Sequence, residues 1–330
     1  MTASDQMSLT IRRRLLALGT AAATTSLLGA RTAFAQPGGV RRIIVGFPAG
    51  GFTDRLARMF AEALGAASSS NFVVENRAGA GGMIATEAVV RAEGDGRVLL
   101  FHNVDSLALE RALGTDQGLD PFRSLTILAP VARVDFLVVA NAALGLRGLQ
   151  DLIALARRST TGVSYVDTGP VARLTFEFLS KKFGLNLLGV PYRGLAPAMV
   201  DLLAGRVDLA TLDGGAAAPL VAAGKLTILG RTDAIRPREK SGIPPLAEQG
   251  ADGLTLGTRF ALMAPASISP AIAESLRSLA TGVLKEPPLR AQLEQAGFHP
   301  IDEPPDAFAR AVAESVNHYR RLAQQAGMTT

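Results

Sequence analysis

A chain of 330 residues, 48% hydrophobic and 19% charged, has the length of two ordinary domains, each able to bury a core without disulfide or metal staples. It contains no cysteine, which excludes thiolate nucleophiles and zinc-thiolate centres. The formal charge of +5 suggests nucleic acid only until it is located: residues 1–35 hold Arg12, Arg13, Arg14 and Arg31 against Asp5 alone. The remainder carries about +2, with no basic run interleaved with aromatics, so no nucleic-acid partner is expected.

The first segment reads as an address. Arg12-Arg13-Arg14 is followed by Leu15-Leu16-Ala17-Leu18, an apolar stretch to Ala30, and the small-residue pattern Ala33-Phe34-Ala35. A basic start, an apolar centre and an A-x-A site in that order predict a signal peptide over 1–35, cleaved near Ala35, and hence export. The Arg-Arg-x-Leu-Leu spelling resembles a twin-arginine signal; a general secretory signal with a basic start is the alternative. No other stretch reaches 18 uninterrupted apolar residues, so no membrane-spanning helix is expected in the mature chain.

From residue 42 short apolar runs alternate with amphipathic segments. Arg42–Phe47, Phe72–Glu75 and Arg97–Phe101 read as buried strands, with helices at Asp54–Leu64 and Met83–Arg91. Leu56, Met59, Phe60, Ala63 and Leu64 give the first helix one apolar face. A β-rich stretch, Thr126–Ala140, precedes a second series: helix Leu149–Arg158, strand Val163–Val166, helix Leu174–Phe183, strand Leu187–Tyr192, helix Ala196–Ala204, and strands Val207–Asp213 and Thr227–Thr232. Helices near Ala271–Leu284, Pro287–Ala296 and Pro305–Gln325 close the chain. Alternating strands and helices imply parallel βαβ units and sheets covered on both faces. With no low-complexity linker, the halves should be joined by ordered crossing strands, placed near Val138–Ala142 and Thr258–Met263. The expected division is 36–140 plus 261–330 for one lobe and 141–260 for the other.

Gly46-Phe47-Pro48-Ala49-Gly50-Gly51-Phe52-Thr53-Asp54 is the most informative stretch. A strand ends, glycines turn the backbone, and a helix begins; free N–H groups there, with the helix dipole, form an anion site. A plain helix cap fits the same residues. Gly79-Ala80-Gly81-Gly82 lacks the Lys-Ser/Thr of a P-loop and the third glycine of a dinucleotide motif, so it reads as a structural turn and no nucleotide cofactor is expected. The histidines, His102, His299 and His318, are too scattered for a metal pair, and no Gly-x-Ser-x-Gly elbow exists. His102-Asn103-Val104-Asp105-Ser106 follows a strand end, where open α/β sheets bind ligands.

In order, Phe47-Pro48-Ala49-Gly50-Gly51-Phe52-Thr53-Asp54, Val73-Val74-Glu75-Asn76-Arg77-Ala78-Gly79-Ala80-Gly81-Gly82, Val190-Pro191-Tyr192-Arg193-Gly194, Asp201-Leu202-Leu203-Ala204-Gly205, Ala223-Gly224-Lys225-Leu226 and Ala264-Pro265 resemble the Bug family of periplasmic solute receptors. That family serves tripartite tricarboxylate transporters. The resemblance implies an α/β fold of two Rossmann-like lobes, like a type II periplasmic binding protein, with a ligand cleft between them. It implies a carboxylate held by backbone amides and hydroxyls, partly through waters. By matching position the ligand-binding candidates are Phe47, Ala49, Thr53, Asp54 and Asn103 in the first lobe, and Thr168, Gly169, Arg193 and Asp213 in the second. Arg193 also fits a surface residue, and Asp213 a strand-end cap.

Two departures bear on the ligand. Asp167-Thr168-Gly169-Pro170-Val171-Ala172-Arg173 is shorter than the family's Ser/Thr-rich turn: a hydroxyl position has become a carboxylate, and Pro170 removes a backbone donor. Asp167 facing the cleft would repel an anion unless Arg173 or Arg193 paired it. The family aromatic before the last crossing is also missing, with Thr258 or Arg259 near its place. The expected function is a monomeric extracytoplasmic receptor, without cofactor or metal. It captures a small organic acid and passes it to an inner-membrane permease of the tripartite tricarboxylate type. A ligand sensor is the alternative; an enzyme is disfavoured for want of a nucleophile and base.

Overall fold

The computed structural model describes residues 39–116, 118–134, 136–232 and 242–328. The expected signal peptide and its cleavage site lie outside the described residues. The strands are β1 (Val40–Val45), β2 (Asn71–Asn76), β3 (Val98–Asn103), β4 (Leu125–Val134), β5 (Phe136–Asn141), β6 (Val163–Asp167), β7 (Leu187–Pro191), β8 (Leu209–Asp213), β9 (Leu226–Arg231), β10 (Arg259–Pro265) and β11 (Phe298–Pro300). The helices are α1 (Phe52–Ala66), α2 (Met83–Val90), α3 (Val104–Leu113), α4 (Pro121–Ser124), α5 (Leu149–Arg158), α6 (Pro170–Phe183), α7 (Leu195–Leu203), α8 (Gly214–Ala222), α9 (Pro270–Lys285), α10 (Pro287–Gln295) and α11 (Pro305–Gln325).

Two mixed sheets result, ordered β11-β4-β10-β3-β1-β2 and β7-β6-β8-β5-β9. The βα series forms parallel pairs, β1 with β2 and β3, and β6 with β7 and β8, as the sequence alternation implies. The strands that carry the chain between sheets, β5 and β10, pair antiparallel to their neighbours. Each sheet is covered on both faces, and the side chains alternate accordingly. Ile43, Val45, Leu99 and Phe101 point to the core under α1 and α9, while Ile44 and Leu100 point to the one under α2 and α11. In the second sheet Leu137, Val139, Ala210 and Leu212 meet α7 and α8, and Val138, Ala140, Tyr165 and Leu209 meet α5 and α6. In α1, Leu56, Phe60 and Leu64 are fully buried at four-residue spacing. Burying each such side chain contributes about 1.5–3 kcal/mol.

Sequence reading missed α3 and α8. Seven of the ten α3 residues, Val104–Glu110, are buried, so no polar face marks a helical period. The first two residues of α8 are glycines and Pro219 lies inside it, residues of low helix propensity; packing of the buried Ala217 accompanies the helix nonetheless. Helix α6 begins at Pro170, earlier than the expected Leu174; the proline occupies the first helical turn, where a missing N–H is harmless.

The first passage between sheets also differs from expectation. β5 lies wholly in the second sheet, so the chain changes sheets between 134 and 136, before the expected Val138–Ala142. An unbroken β-rich run holds no local signal of where its hydrogen-bonding partner changes. The return passage precedes β10 and runs beside the first, Val134 N–H donating to the Thr258 carbonyl at 2.9 Å. Arg259 donates from its backbone N–H to Asp105 Oδ2 at 2.7 Å and from Nη2 to Asp105 Oδ1 at 2.5 Å. Its guanidinium also lies 5.6 Å from the Phe308 ring centre. Tyr319 of α11 donates to the same carboxylate at 2.7 Å. Among the described residues no helix is long and apolar enough to cross a membrane.

Candidate ligand-binding site

The site is built from the loop between β1 and α1. A Cβ on Gly46 would lie 2.7 Å from the Gly82 Cα and 2.8 Å from His102 Nε2, so only glycine lets the two loops and the imidazole pack together. Helix α1 begins after Gly51, which supplies no side-chain cap. The amides of Phe52, Thr53 and Asp54 therefore stand at the positive end of a 15-residue helix without intrahelical acceptors. Beside them Thr53, 1% exposed, has an Oγ1 that is buried without a hydrogen-bond partner. A buried hydroxyl left so is unfavourable unless something not of this chain completes it.

Asp54 serves a different purpose. Its carboxylate accepts from Gly50 N–H at 2.9 Å, Asn76 Nδ2 at 2.9 Å and Arg58 Nε at 3.0 Å. Asn76 also donates to the Phe47 carbonyl at 3.0 Å. Burial alone would raise the carboxyl, but these donors outweigh it and hold Asp54 below the usual carboxylate range. Asp54 is thus a bracket that shapes the loop, and its acceptors are already engaged. Phe47 is half-buried, its ring 5.1 Å from the His102 ring, and Ala49 is exposed at the loop tip. Asn103 accepts from the amides of Asp105 and Ser106 at 3.0 and 3.3 Å, capping α3 with its side-chain oxygen.

The second sheet contributes the starts of α6, α7 and α8. Asp167 accepts from Gly169 N–H at 3.1 Å and from Arg173 Nε at 2.8 Å, so its carboxylate is neutralised by Arg173. Glu110 of α3 is near enough to feel Arg173. Burial pushes its carboxyl up, while Thr115 and the Arg173 charge pull it back. Thr168 is exposed, and Gly169 opens α6 without a side-chain cap. Arg193 is exposed, and Gly194 opens α7, again uncapped. A Cβ on Gly194 would come 3.5 Å from Pro48 Cγ, which places this turn against the β1–α1 loop. Asp213 caps α8 through Ala216 N–H at 3.0 Å and faces Arg55 of α1 at 3.5 Å. The structure thus gathers Thr53, Asp54 and Phe47 with the Arg193–Gly194 turn and Asp213. Among the described residues, Gly169 is linked through Asp167 to Arg173, whose charge reaches Glu110 of α3. Arg55 escaped the sequence reading because one exposed charge on a helix carries no motif.

The helix starts divide by chemistry. Those of α3 and α8 are closed by Asn103 and Asp213, whereas α1, α6 and α7 begin at glycines with no side-chain acceptor. Open helix N-termini from both sheets, beside an unpartnered hydroxyl, suit a ligand that accepts hydrogen bonds and carries negative charge. His102 does not add a cation. It is fully buried, Nδ1 donates to the Asn103 carbonyl at 2.8 Å, and burial lowers its pKa to about 4. A groove of about 500 Å³ between α9 and α11, lined by Glu274, Arg277, Lys285 and Asp306, shares no residue with these loops and mixes both charges.

The sequence profile of the tripartite tricarboxylate transporter family receptor matches residues 56–328. The chain belongs to this family. BugT of Bordetella pertussis is 29% identical over 320 residues, 96% of this chain and 98% of BugT. Among solved structures, that of R. palustris Rpa4515 with adipate superposes with a TM-score of 0.81 at 30% identity, covering 88% of this chain and 98% of that one. The periplasmic binding protein BugD gives a TM-score of 0.80 at 27% identity, covering 89% and 99%. A tripartite tricarboxylate transporter receptor is a solute-binding protein and not an enzyme. The family match begins at residue 56, so the β1–α1 loop of this receptor rests on its own geometry.

Proposed function

We propose that this receptor, exported to the periplasm and acting as a monomer, captures a small organic acid between its two lobes and delivers it to a tripartite tricarboxylate-type permease. The lobes follow the sheets: of the described residues from 40 onward, those up to 134 and from 259 to 328 form one, and 136–232 with 242–258 the other. The observation that carries this reading is Thr53, a buried hydroxyl without a partner beside the open amides of α1. A carboxylate docked there would accept from Thr53 and the amides, and the uncapped turns at Gly169 and Gly194 would receive its far end. Rpa4515, a relative over nearly its whole length, has been determined with adipate, a dicarboxylate. Asp167 does not oppose an anion here, because Arg173 cancels its charge.

The test is a thermal-shift screen of mono- and dicarboxylates, amino acids and aromatic acids, followed by calorimetry. A true ligand at 100 times its Kd adds about 2.7 kcal/mol of stability. Stabilisation by one or more carboxylates, and by none of their amides, is the expected outcome. A panel in which amides bind as well as acids would overturn the reading.

A further inference from the structure

Asp213 is 2% exposed, and part of what covers it belongs to the other sheet. The start of α8 is crowded by the turn between α10 and β11, where a Cβ on Gly215 would lie 2.7 Å from the Ala296 carbonyl oxygen. Within its own sheet the carboxylate is fixed by capping α8 through Ala216 N–H. Across the cleft it faces Arg55 Nη2 at 3.5 Å, and Arg55 is 47% exposed. Arg55 sits in the first turn of α1, two residues beyond Thr53. A buried carboxylate is unfavourable without compensation, and Arg55 adds the facing charge to the backbone amides that already support Asp213 between the sheets. Burial pushes the Asp213 carboxyl above its ordinary range, while the Ala216 amide and the Arg55 charge pull it back.

We propose that Arg55 is a positioning residue of the cleft: its ion pair with Asp213 holds the β8–α8 turn against the start of α1 and favours the closed arrangement of the lobes. This rests on the receptor reading above but not on the identity of the ligand. When the lobes part, Asp213 regains water and the Arg55 charge counts for less; when they meet, it counts for more. Loss of Arg55 therefore raises the free energy of the closed form selectively, and the apparent affinity falls with the closed population.

The experiment uses the cysteine-free chain as it is. Spin labels are placed on Ile84→Cys and Val200→Cys, at positions 51% and 63% exposed and one on each lobe, and their distance distribution is measured without ligand. Arg55→Gln should move the distribution to longer distances. Asp213→Asn, which keeps the capping oxygen and removes the charge, should do the same. The double variant should open the molecule no further than either single variant, and Arg55→Lys should recover part of the shorter-distance population. The Kd of any ligand should rise roughly fivefold in Arg55→Gln, with the ranking of ligands unchanged. Distances indifferent to Arg55→Gln, or effects that simply add in the double variant, would overturn the proposal. A carboxylate screen that fails leaves these distances as informative as before, so the two readings fall separately.

Discussion

At the scale of single residues, Thr53 has opposite consequences for stability and for binding. Its buried hydroxyl has no partner among the described residues. Thr53→Val keeps the shape and removes the polar atom, so the Tm of the ligand-free protein should hold or rise. If a ligand carboxylate accepts from Thr53 as proposed, the same change removes a hydrogen bond to a charged group, about 1.5–3 kcal/mol, and should raise Kd about 10- to 150-fold for all ligands alike. A loss of Tm with Kd unchanged would mark Thr53 as purely structural. Asp167 behaves differently, because Arg173 neutralises it. Asp167→Ser frees the guanidinium, and calorimetry should show dianions gaining on zwitterions; equal changes for both would remove this turn from ligand selection. His102 sets a pH dependence. It is buried neutral, with a pKa lowered to about 4, whereas in the unfolded chain it titrates near 6.5. The unfolded state therefore binds the extra proton first, and the stability due to neutral His102 is complete above about pH 6.5 and lost progressively toward pH 4, by about 3 kcal/mol. His102→Asn should flatten that part of the denaturation profile.

At the scale of elements, the loops around the site are held by close approach as much as by hydrogen bonds. Gly82 opens α2 at φ +94°, and a Cβ there would lie 1.8 Å from His102 Nε2. Gly82→Ala should cost roughly 3 kcal/mol or more in chemical denaturation, part strain and part collision. Adding His102→Ala removes the collision and leaves the strain, so the double variant should be more stable than Gly82→Ala alone. A double variant that is no better would place the whole cost in the backbone. The β1–α1 loop is shaped by the Asp54 bracket to Gly50, Asn76 and Arg58, which leaves the first amides of α1 facing outward. Glycine-rich strand ends, the α1 period and Leu149–Arg158 were all legible from the sequence, because each depends on local turn chemistry or one apolar face. α3 and α8 were not, since an almost wholly buried helix and a Gly-Pro-containing one show neither signal.

At the scale of the whole molecule, two features decide how the lobes can move. The passages between sheets run side by side, joined by the Val134–Thr258 bond. Helices α3 and α11 bridge the sheets: Leu107 and Phe308 pack with the first, Leu109 and Leu322 with the second. The Asp105–Arg259–Tyr319 cluster fixes the return passage to both helices. Ligand should rotate the lobes about residues near 135 and 258 and lower the radius of gyration in small-angle scattering. An unchanged radius at saturation would count against closure. Asp105→Ala leaves Arg259 without its buried counter-charge and should cost about 3–5 kcal/mol of stability.

The sequence by itself determined what local chemistry can state: two βα series, sheets covered on both faces, a helix start after Gly51, and the family that these stretches resemble. Strand and helix periods and glycine turns are read from neighbours a few residues away, so they survive without the fold. Only the tertiary structure decided that Asp54 is a bracket, that Asp213 closes α8 against Arg55, that Arg173 cancels Asp167, and that β5 joins the second sheet. The Arg173–Asp167 pair and most of the Asp54 bracket are local in sequence, yet which of several nearby charges pairs is settled only by the packed turn; the Asp213 pairing and the sheet that β5 joins depend on partners from far along the chain. Arg55 and Asp213 are separated by 158 residues, and Asp105 and Arg259 by 154. A charge names its own sign in the sequence, but the packed chain alone supplies the opposite charge and the burial that make it matter.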